Sequence, residues 1–360
     1  MNRLRVALDG RPLQHELLGG VGRYMAGTIP ILAEHADVVV LLDSRRPPPC
    51  VPLDCSVEQV VLSAPPGVPG LGWLELAVAP WLRRFGGVFH ATFNTLPLTS
   101  GHRMVLTLHD LAPQLHAEDF DLARRAAWRF WVRASVAKAA AITTVSEFVK
   151  REIVAYFRIE PARVLLSPDA CDPLFDPQRA ATAPALARSL GIEAPYVVAI
   201  GGARRRGLPI AVEAWRQATR RLERRVTLAV LGEPELRPEP GLVPLGRLDD
   251  ESWATLLAGA RALCYPTRYE GFGLPALEAA ASGTPVVCAA IASLPEVLGE
   301  AGCWSASPSA EAIADVLVKL LSDERWHREQ REAGLARARH APSFCDSAAA
   351  LLEAYELAAA

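Results

Sequence analysis

The chain has 360 residues, a length that predicts two or three domains rather than one. Lysine and arginine number 38 and aspartate and glutamate 40, so the formal net charge is −2. No overall positive field favours nucleic acid, and we expect no nucleic-acid partner. The 7 cysteines show no C-x-x-C spacing, which indicates a reducing compartment without a disulfide framework or a zinc site.

The N-terminal residues lead into a strand without the apolar segment of a signal peptide. The longest apolar runs, such as Val38–Leu42, are far too short to span a bilayer. We therefore expect a cytoplasmic protein.

Short aliphatic strands alternate with helical segments along the chain. A first set of strands is predicted at 5–9, 37–42, 57–62, 88–91, 104–108, 141–145 and 163–166. After a turn-rich stretch, a second set is predicted at 196–200, 226–231, 243–245, 262–265 and 285–289. Continuous apolar strands between helices are typical of parallel sheets covered on both faces. The pattern predicts an α/β fold of two doubly wound, Rossmann-like domains with a cleft between them.

The most informative segment follows the strand predicted to end at Tyr265. A polar loop leads through Gly-Phe-Gly into a helix that opens at Leu274-Pro275, and Glu270 and Glu278 bracket that opening. Glycines let the backbone approach a ligand, and a helix start offers free N–H groups to an anion. Two carboxylates would repel a phosphate unless each faces hydroxyls, so a sugar and a ribose fit this pattern. A packed loop with two solvated glutamates is the alternative.

Residues 265–297 read YPTRYEGFGLPALEAAASGTPVVCAAIASLPEV. This segment resembles the donor-binding region of the GT4-type retaining glycosyltransferases of the GT-B fold, including their E-x7-E motif. The similarity continues to a terminal helix ending near Tyr355. It implies that Glu270 contacts the donor sugar and that Glu278 holds the ribose. Backbone groups for the sugar and diphosphate would come from Gly271, Phe272, Gly273 and Leu274.

The loop after the first strand of the second domain, residues 200–207, reads IGGARRRG. The resemblance places a basic clamp for the diphosphate here, formed by Arg205 and Arg206 beside Gly201. An arginine stands where the family usually has lysine, and arginine can bind phosphate in a bidentate manner. A solvated loop end is the alternative. Further along, Arg247 and Leu248 resemble the loop that borders the nucleobase.

Residues 19–24 read GGVGRY at the opening of the first helix. Together with Asp43 they mimic a dinucleotide fingerprint, but the third glycine position is Met25 and the preceding turn is too long. The family's G-G-I-G-R-Y loop is closer, so Gly20 and Gly22 are assigned to the donor or acceptor wall. The segment 107–111, TLHDL, resembles the family segment whose histidine reaches the transferred sugar. His109 is therefore the first-choice catalytic residue of this domain.

Asp119 and Asp121 form a D-x-D, a pattern that chelates metal in other glycosyltransferase folds. Because a long helix is predicted at 122–140, we interpret the two acids as helix capping and expect no metal and no cofactor. Within that helix, Arg125, Arg129 and Arg133 form a stripe beside two tryptophans. We favour a solvated arginine face, with peripheral membrane contact as the alternative.

The resemblance implies a retaining, metal-independent transfer of a sugar from a nucleotide diphosphate sugar to an acceptor hydroxyl. Residues 1–170 would form the acceptor-side domain and 171–344 the donor domain, with a terminal helix at 345–360 packing back on the first. A sugar-nucleotide epimerase and a non-catalytic binding module of the same fold are the alternatives. The base (GDP, UDP or dTDP), the sugar, the acceptor and the oligomeric state stay open, and similarity to mannosyl- and rhamnosyl-type enzymes favours GDP.

Overall fold

The computed structural model describes residues 3–68, 70–115, 122–222 and 224–360. The chain divides into two compact units, and the first combines Met1–Ala170 with Pro342–Ala360. The second unit is Cys171–Ala341. The D-x-D at Asp119 and Asp121 lies outside the described residues.

Each unit is built on one sheet of parallel strands. The strands of the first unit are β1 Leu4–Asp9, β2 Ala36–Asp43, β3 Glu58–Leu62, β4 Val88–Ala91, β5 Met104–Leu108, β6 Ala141–Thr144 and β7 Val164–Leu166. Those of the second are β8 Tyr196–Ile200, β9 Thr227–Leu231, β10 Leu242–Gly246, β11 Ala262–Cys264, β12 Val286–Ala289 and β13 Gly302–Ser305.

The α-helices of the first unit are α1 Gly20–His35, α2 Gly70–Trp73, α3 Ala79–Leu82, α4 Ala112–Leu115, α5 Leu122–Lys138, α6 Glu147–Phe157 and α14 Phe344–Ala359. Those of the second are α7 Ala183–Ser189, α8 Leu208–Leu222, α9 Asp250–Gly259, α10 Leu274–Ala281, α11 Leu294–Leu298, α12 Ala310–Ser322 and α13 Glu324–Arg339. Several begin at a side chain that caps the first turn, namely Ser146, Asp249, Ser309, Asp323 and Ser343. None of the helices among the described residues is long and apolar enough to cross a membrane.

The two sheets confirm the predicted α/β class of parallel, helix-covered sheets. Every predicted strand is found, and the ends differ by no more than one residue. Strand β13 was missed, because its sequence, Gly-Cys-Trp-Ser, has no aliphatic run to mark it.

Both sheets share a reversal of strand order. In the first sheet the order is β3-β2-β1-β4-β5-β6-β7. The strands β2 and β3 are added on one side of β1, and the strands from β4 to β7 are added on its other side. In the second, order β10-β9-β8-β11-β12-β13, the same reversal separates β8 from β11. At such a reversal, the loops that follow the two neighbouring strands run in opposite directions. A crevice therefore opens at the carboxyl ends of these strands.

The C-terminal helix α14 packs in the first unit, and a buried polar network fixes it there. Tyr355 and His90 on β4 are joined by a hydrogen bond of 2.8 Å between Oη and Nδ1. The other ring nitrogen of His90 lies 2.6 Å from Oγ1 of Thr107 on β5. The helix is thus held by specific hydrogen bonds as well as by apolar burial.

His90 should make the first unit sensitive to acid. Burial lowers the pKa of His90 from 6.5 to about 3. Between those values the unfolded chain binds a proton that the folded chain does not, so stability falls as the pH drops below 6.5. By this linkage the ring should remove about 2 kcal/mol between about pH 7.5 and 5. Urea unfolding at both pH values should show a loss about 2 kcal/mol larger in the wild type than in His90→Gln, which keeps the other buried histidines; equal losses would contradict it.

Candidate active site

The predicted donor residues of the second unit collect at its strand-order reversal. The loop 201–207 follows β8, and the loop 265–273 follows β11, which pairs with β8. Hydrogen bonds join the two loops, since the carbonyl of Arg205 accepts from the backbone N–H of Arg268 at 2.7 Å and from Thr267 Oγ1 at 3.2 Å. Gly207 has φ +70°, and a Cβ there would collide with the carbonyl of Pro266. Glycine therefore permits the close approach of the loops.

The guanidinium groups of Arg205 and Arg206 keep hydrogen-bonding capacity for a ligand. Arg206 donates from Nη1 to the carbonyl of Gly201 at 2.9 Å, which folds its side chain back over the loop. The Nε atoms of both arginines are buried, and among the described residues neither has a hydrogen-bond partner. A buried N–H without a partner costs about 1–3 kcal/mol, so an anion at this loop would restore lost hydrogen bonding.

Glu270 lies beside this basic pair. Its Oε1 is 3.9 Å from Nε of Arg206 and accepts a hydrogen bond of 2.5 Å from the hydroxyl of Tyr265. Burial raises the pKa of Tyr265 well above its ordinary range, and the nearby Glu270 carboxylate raises it further. Tyr265 therefore stays protonated and donates, which fixes the carboxylate in one orientation.

The turn between Glu270 and α10 is held in place by the hydroxyl of Ser293. Its hydroxyl lies 3.0 Å from the carbonyl of Glu270 and 2.6 Å from that of Phe272, at the edge of α11. The turn and the first residue of α10, Leu274, are buried. The backbone of this turn is thereby held in a rigid frame at the positive end of the α10 dipole, a geometry suited to an anionic oxygen.

Glu278 lies on the second turn of α10 and is more deeply buried than Glu270. The side chain is 1% exposed, and its Oε2 accepts from the indole N–H of Trp253 on α9 at 3.1 Å. The predicted pair of carboxylates therefore occupies two distinct environments, one beside the arginines and one beside a tryptophan. Arg247 and Leu248 follow the edge strand β10, and Leu248 packs against the core.

In the first unit His109 follows β5, next to the strand-order reversal. Its Nε2 lies 3.0 Å from the carbonyl of Thr92, which can only accept, so Nε2 carries the proton and Nδ1 is left as an acceptor. Burial lowers the pKa of His109 despite the Thr92 hydrogen bond and the neighbouring Asp110. The ring is therefore neutral at neutral pH. The carboxylate of Asp110 accepts a hydrogen bond of 3.0 Å from the N–H of Ala112.

Tyr24, which follows the glycine-rich start of α1, contacts the ring of His109. The rings of Tyr24 and His109 meet edge to face with centroids 5.5 Å apart. Gly22 packs on the carbonyl of Pro12, which leaves no room for a Cβ, whereas Gly20 faces open space. Asp43, the acid of the rejected dinucleotide fingerprint, pairs with Arg45 at 2.6 Å and so offers no unpaired carboxylate to a ribose.

The side chains that hold the predicted site residues in place were not predicted from the sequence. Tyr265, Trp253 and Ser293 are ordinary core-compatible residues whose role depends on which strand or helix folds next to which. Tyr265 lies inside the recognised segment, and its spacing of five from Glu270 is the one available sequence signal.

Two family models match the chain. The model "Glycosyltransferase Family 4" covers residues 18–173, and "Glycosyl transferases group 1" covers residues 194–323. O-antigen chain mannosyltransferase B of Escherichia coli is 31% identical over 255 residues, which cover 66% of this chain and 66% of that protein. The match spans slightly less than two thirds of the relative's length.

Solved structures show the same fold at low sequence identity. WaaG, a glycosyltransferase involved in lipopolysaccharide biosynthesis, has a TM-score of 0.77 at 17% identity, covering 97% of this chain and 99% of that one. Anabaena Alr3699/HepE in complex with UDP and glucose has a TM-score of 0.72 at 16% identity, covering 98% and 99%. Fold, family models and relative agree: this chain belongs to the GT4-type glycosyltransferases of the GT-B fold.

Proposed function

We propose that the protein transfers a sugar from a nucleotide diphosphate sugar to an acceptor hydroxyl, with retention of anomeric configuration. One observation carries the proposal: Arg205 and Arg206, whose Nε atoms have no hydrogen-bond partner among the described residues, lie in the loop whose Arg206 pairs with Glu270, shortly before the start of α10. Cationic groups and free N–H groups suit a diphosphate, and a carboxylate suits sugar hydroxyls. A nucleotide diphosphate sugar carries both a diphosphate and sugar hydroxyls.

The chemical step that this arrangement favours is departure of the nucleotide diphosphate. Negative charge on the diphosphate grows as the glycosidic bond breaks, and the two arginines and the α10 N-terminus would stabilise that charge. Tyr265 holds Glu270 oriented toward the sugar hydroxyls, while Glu278, beside Trp253, would hold the ribose. In the first unit, His109 would accept a hydrogen bond from the transferred sugar through Nδ1.

Retention is proposed to follow a same-side displacement, in which a donor phosphate oxygen helps to deprotonate the acceptor. This follows from the family resemblance rather than from a carboxylate nucleophile of the kind that retaining glycosidases use. From the same resemblance we propose that the reaction needs no metal.

For the donor we propose GDP-mannose. The support is the Escherichia coli relative, which is named as a mannosyltransferase. The structural neighbour HepE was solved with UDP and glucose, which makes a UDP-sugar the alternative. We place the protein in the cytoplasm, where nucleotide sugars are made available to such enzymes.

Turnover of GDP-mannose tests the proposal directly. With methyl α-mannoside as acceptor, we expect release of GDP and a product whose new linkage is α by NMR. A β linkage would contradict retention. GDP binding without turnover on any acceptor would favour the non-catalytic binding module, and binding of UDP or dTDP in preference to GDP would change the donor.

A further inference from the structure

The loop after β4 lies against the segment that carries His109. Thr92 provides the carbonyl that holds Nε2 of His109, and two residues later the N–H of Asn94 donates to the carbonyl of Thr107 at 3.1 Å. Asn94 is therefore attached through its backbone to β5, two residues before His109. Its position belongs to the same carboxyl-end crevice of the first sheet.

Asn94 combines a left-handed backbone with a buried polar side chain. Its φ is +55°, in the left-handed region, which asparagine adopts more readily than most residues other than glycine. Its side chain is 4% exposed, and Oδ1 has no hydrogen-bond partner among the described residues. The orphaned buried acceptor costs about 1–3 kcal/mol. Glycine fits the same backbone conformation without burying an unpaired acceptor, so the backbone alone does not require the asparagine side chain.

We propose that Asn94 is a further sugar-binding residue, whose Oδ1 accepts a hydrogen bond from a hydroxyl of the carbohydrate bound beside His109. The inference rests on the proposed function and deepens it. The amide oxygen of Asn94 and Nδ1 of His109 both accept hydrogen bonds, and two acceptors suit the hydroxyls of a carbohydrate. Because Oδ1 is buried, the amide has to turn toward the ligand on binding.

The replacement Asn94→Gly separates this role from a structural one. Glycine keeps the left-handed backbone and removes the unpaired buried acceptor, so the melting temperature should rise by about 2–4 °C per kcal/mol recovered. Transfer from GDP-mannose to methyl α-mannoside should fall about tenfold or more, the usual effect of losing one substrate hydrogen bond. Binding of GDP should be unchanged. A structural role predicts the reverse, with lower stability and activity that follows the folded fraction.

Two further variants control the experiment. Arg158→Gly relieves a φ of +56° at the exposed end of α6, and should raise the melting temperature with wild-type transfer. Asn94→Asp keeps an acceptor oxygen at the same place, and should transfer faster than Asn94→Gly. Slow hydrolysis of GDP-mannose without an acceptor shows whether the hydroxyl that Asn94 binds belongs to the transferred sugar or to the acceptor. A fall in hydrolysis as well as transfer assigns it to the transferred sugar, and a higher KM for methyl α-mannoside alone assigns it to the acceptor.

The proposal would be overturned by a lower melting temperature for Asn94→Gly, or by transfer and hydrolysis at wild-type rates in that variant. A wild-type protein that neither binds GDP nor turns over GDP-mannose would instead refute the proposed function. The two failures are therefore distinguishable.

Discussion

Replacing Arg206 by alanine should weaken GDP binding at least tenfold and reduce turnover of GDP-mannose by about 10²–10³. A charge-assisted hydrogen bond to phosphate contributes about 1.5–3 kcal/mol to binding. The larger effect on turnover follows because the diphosphate gains charge as it leaves, so a fixed cation helps the transition state more than the ground state. Calorimetry with GDP and steady-state rates with GDP-mannose measure the two effects separately.

Arg204→Ala is the matched control for this prediction. Arg204 belongs to the same short 3-10 turn, carries the same charge and is exposed. Its loss should change affinity and turnover by less than threefold, an order of magnitude set by screened surface charge. Equal losses in Arg204→Ala and Arg206→Ala would mean that the loop acts through its net charge alone, and the clamp would then be refuted.

Replacing Glu270 by glutamine should reduce turnover by 10² or more, on the order of a lost transition-state contact, while GDP binding stays within threefold of wild type. Glutamine has nearly the shape of glutamate and can still accept from Tyr265, so the fold should survive. What is lost is a carboxylate that receives sugar hydroxyls beside a centre gaining positive charge. Rates with GDP-mannose and calorimetry with GDP measure both sides of this split.

Glu278→Gln should affect GDP affinity more than turnover, the opposite of Glu270→Gln. The reason is that Glu278 is assigned to the ribose, which GDP itself contains. Affinity for GDP should fall, and the turnover of bound donor should change little. If both glutamine variants lost GDP affinity equally, the division of the paired carboxylates between sugar and ribose would be wrong.

The strands could be predicted because aliphatic runs such as Val38–Leu42 are buried on both faces of a parallel sheet and leave a clear pattern. The spacing of Glu270 and Glu278 likewise marks the helix start between them. Strand β13 escaped because four mixed residues at a sheet edge carry no such pattern.

The partners of the site residues could not be predicted in the same way. Trp253 meets Glu278 across 25 positions of sequence, and Ser293 reaches the Glu270 carbonyl across 23. Such contacts depend on how α9, α10 and α11 pack, which no local pattern records. The positive φ of Asn94 is equally hidden, since asparagine occurs in ordinary loops as well as at left-handed positions.

A crystal soaked with GDP-mannose gives the most decisive answer to where the donor binds. We expect the diphosphate density to contact Arg205, Arg206 and the backbone at Gly273 and Leu274, with the mannose hydroxyls at Glu270. Density for the nucleotide elsewhere on the chain, away from residues 201–206 and 270–278, would contradict the proposed donor site.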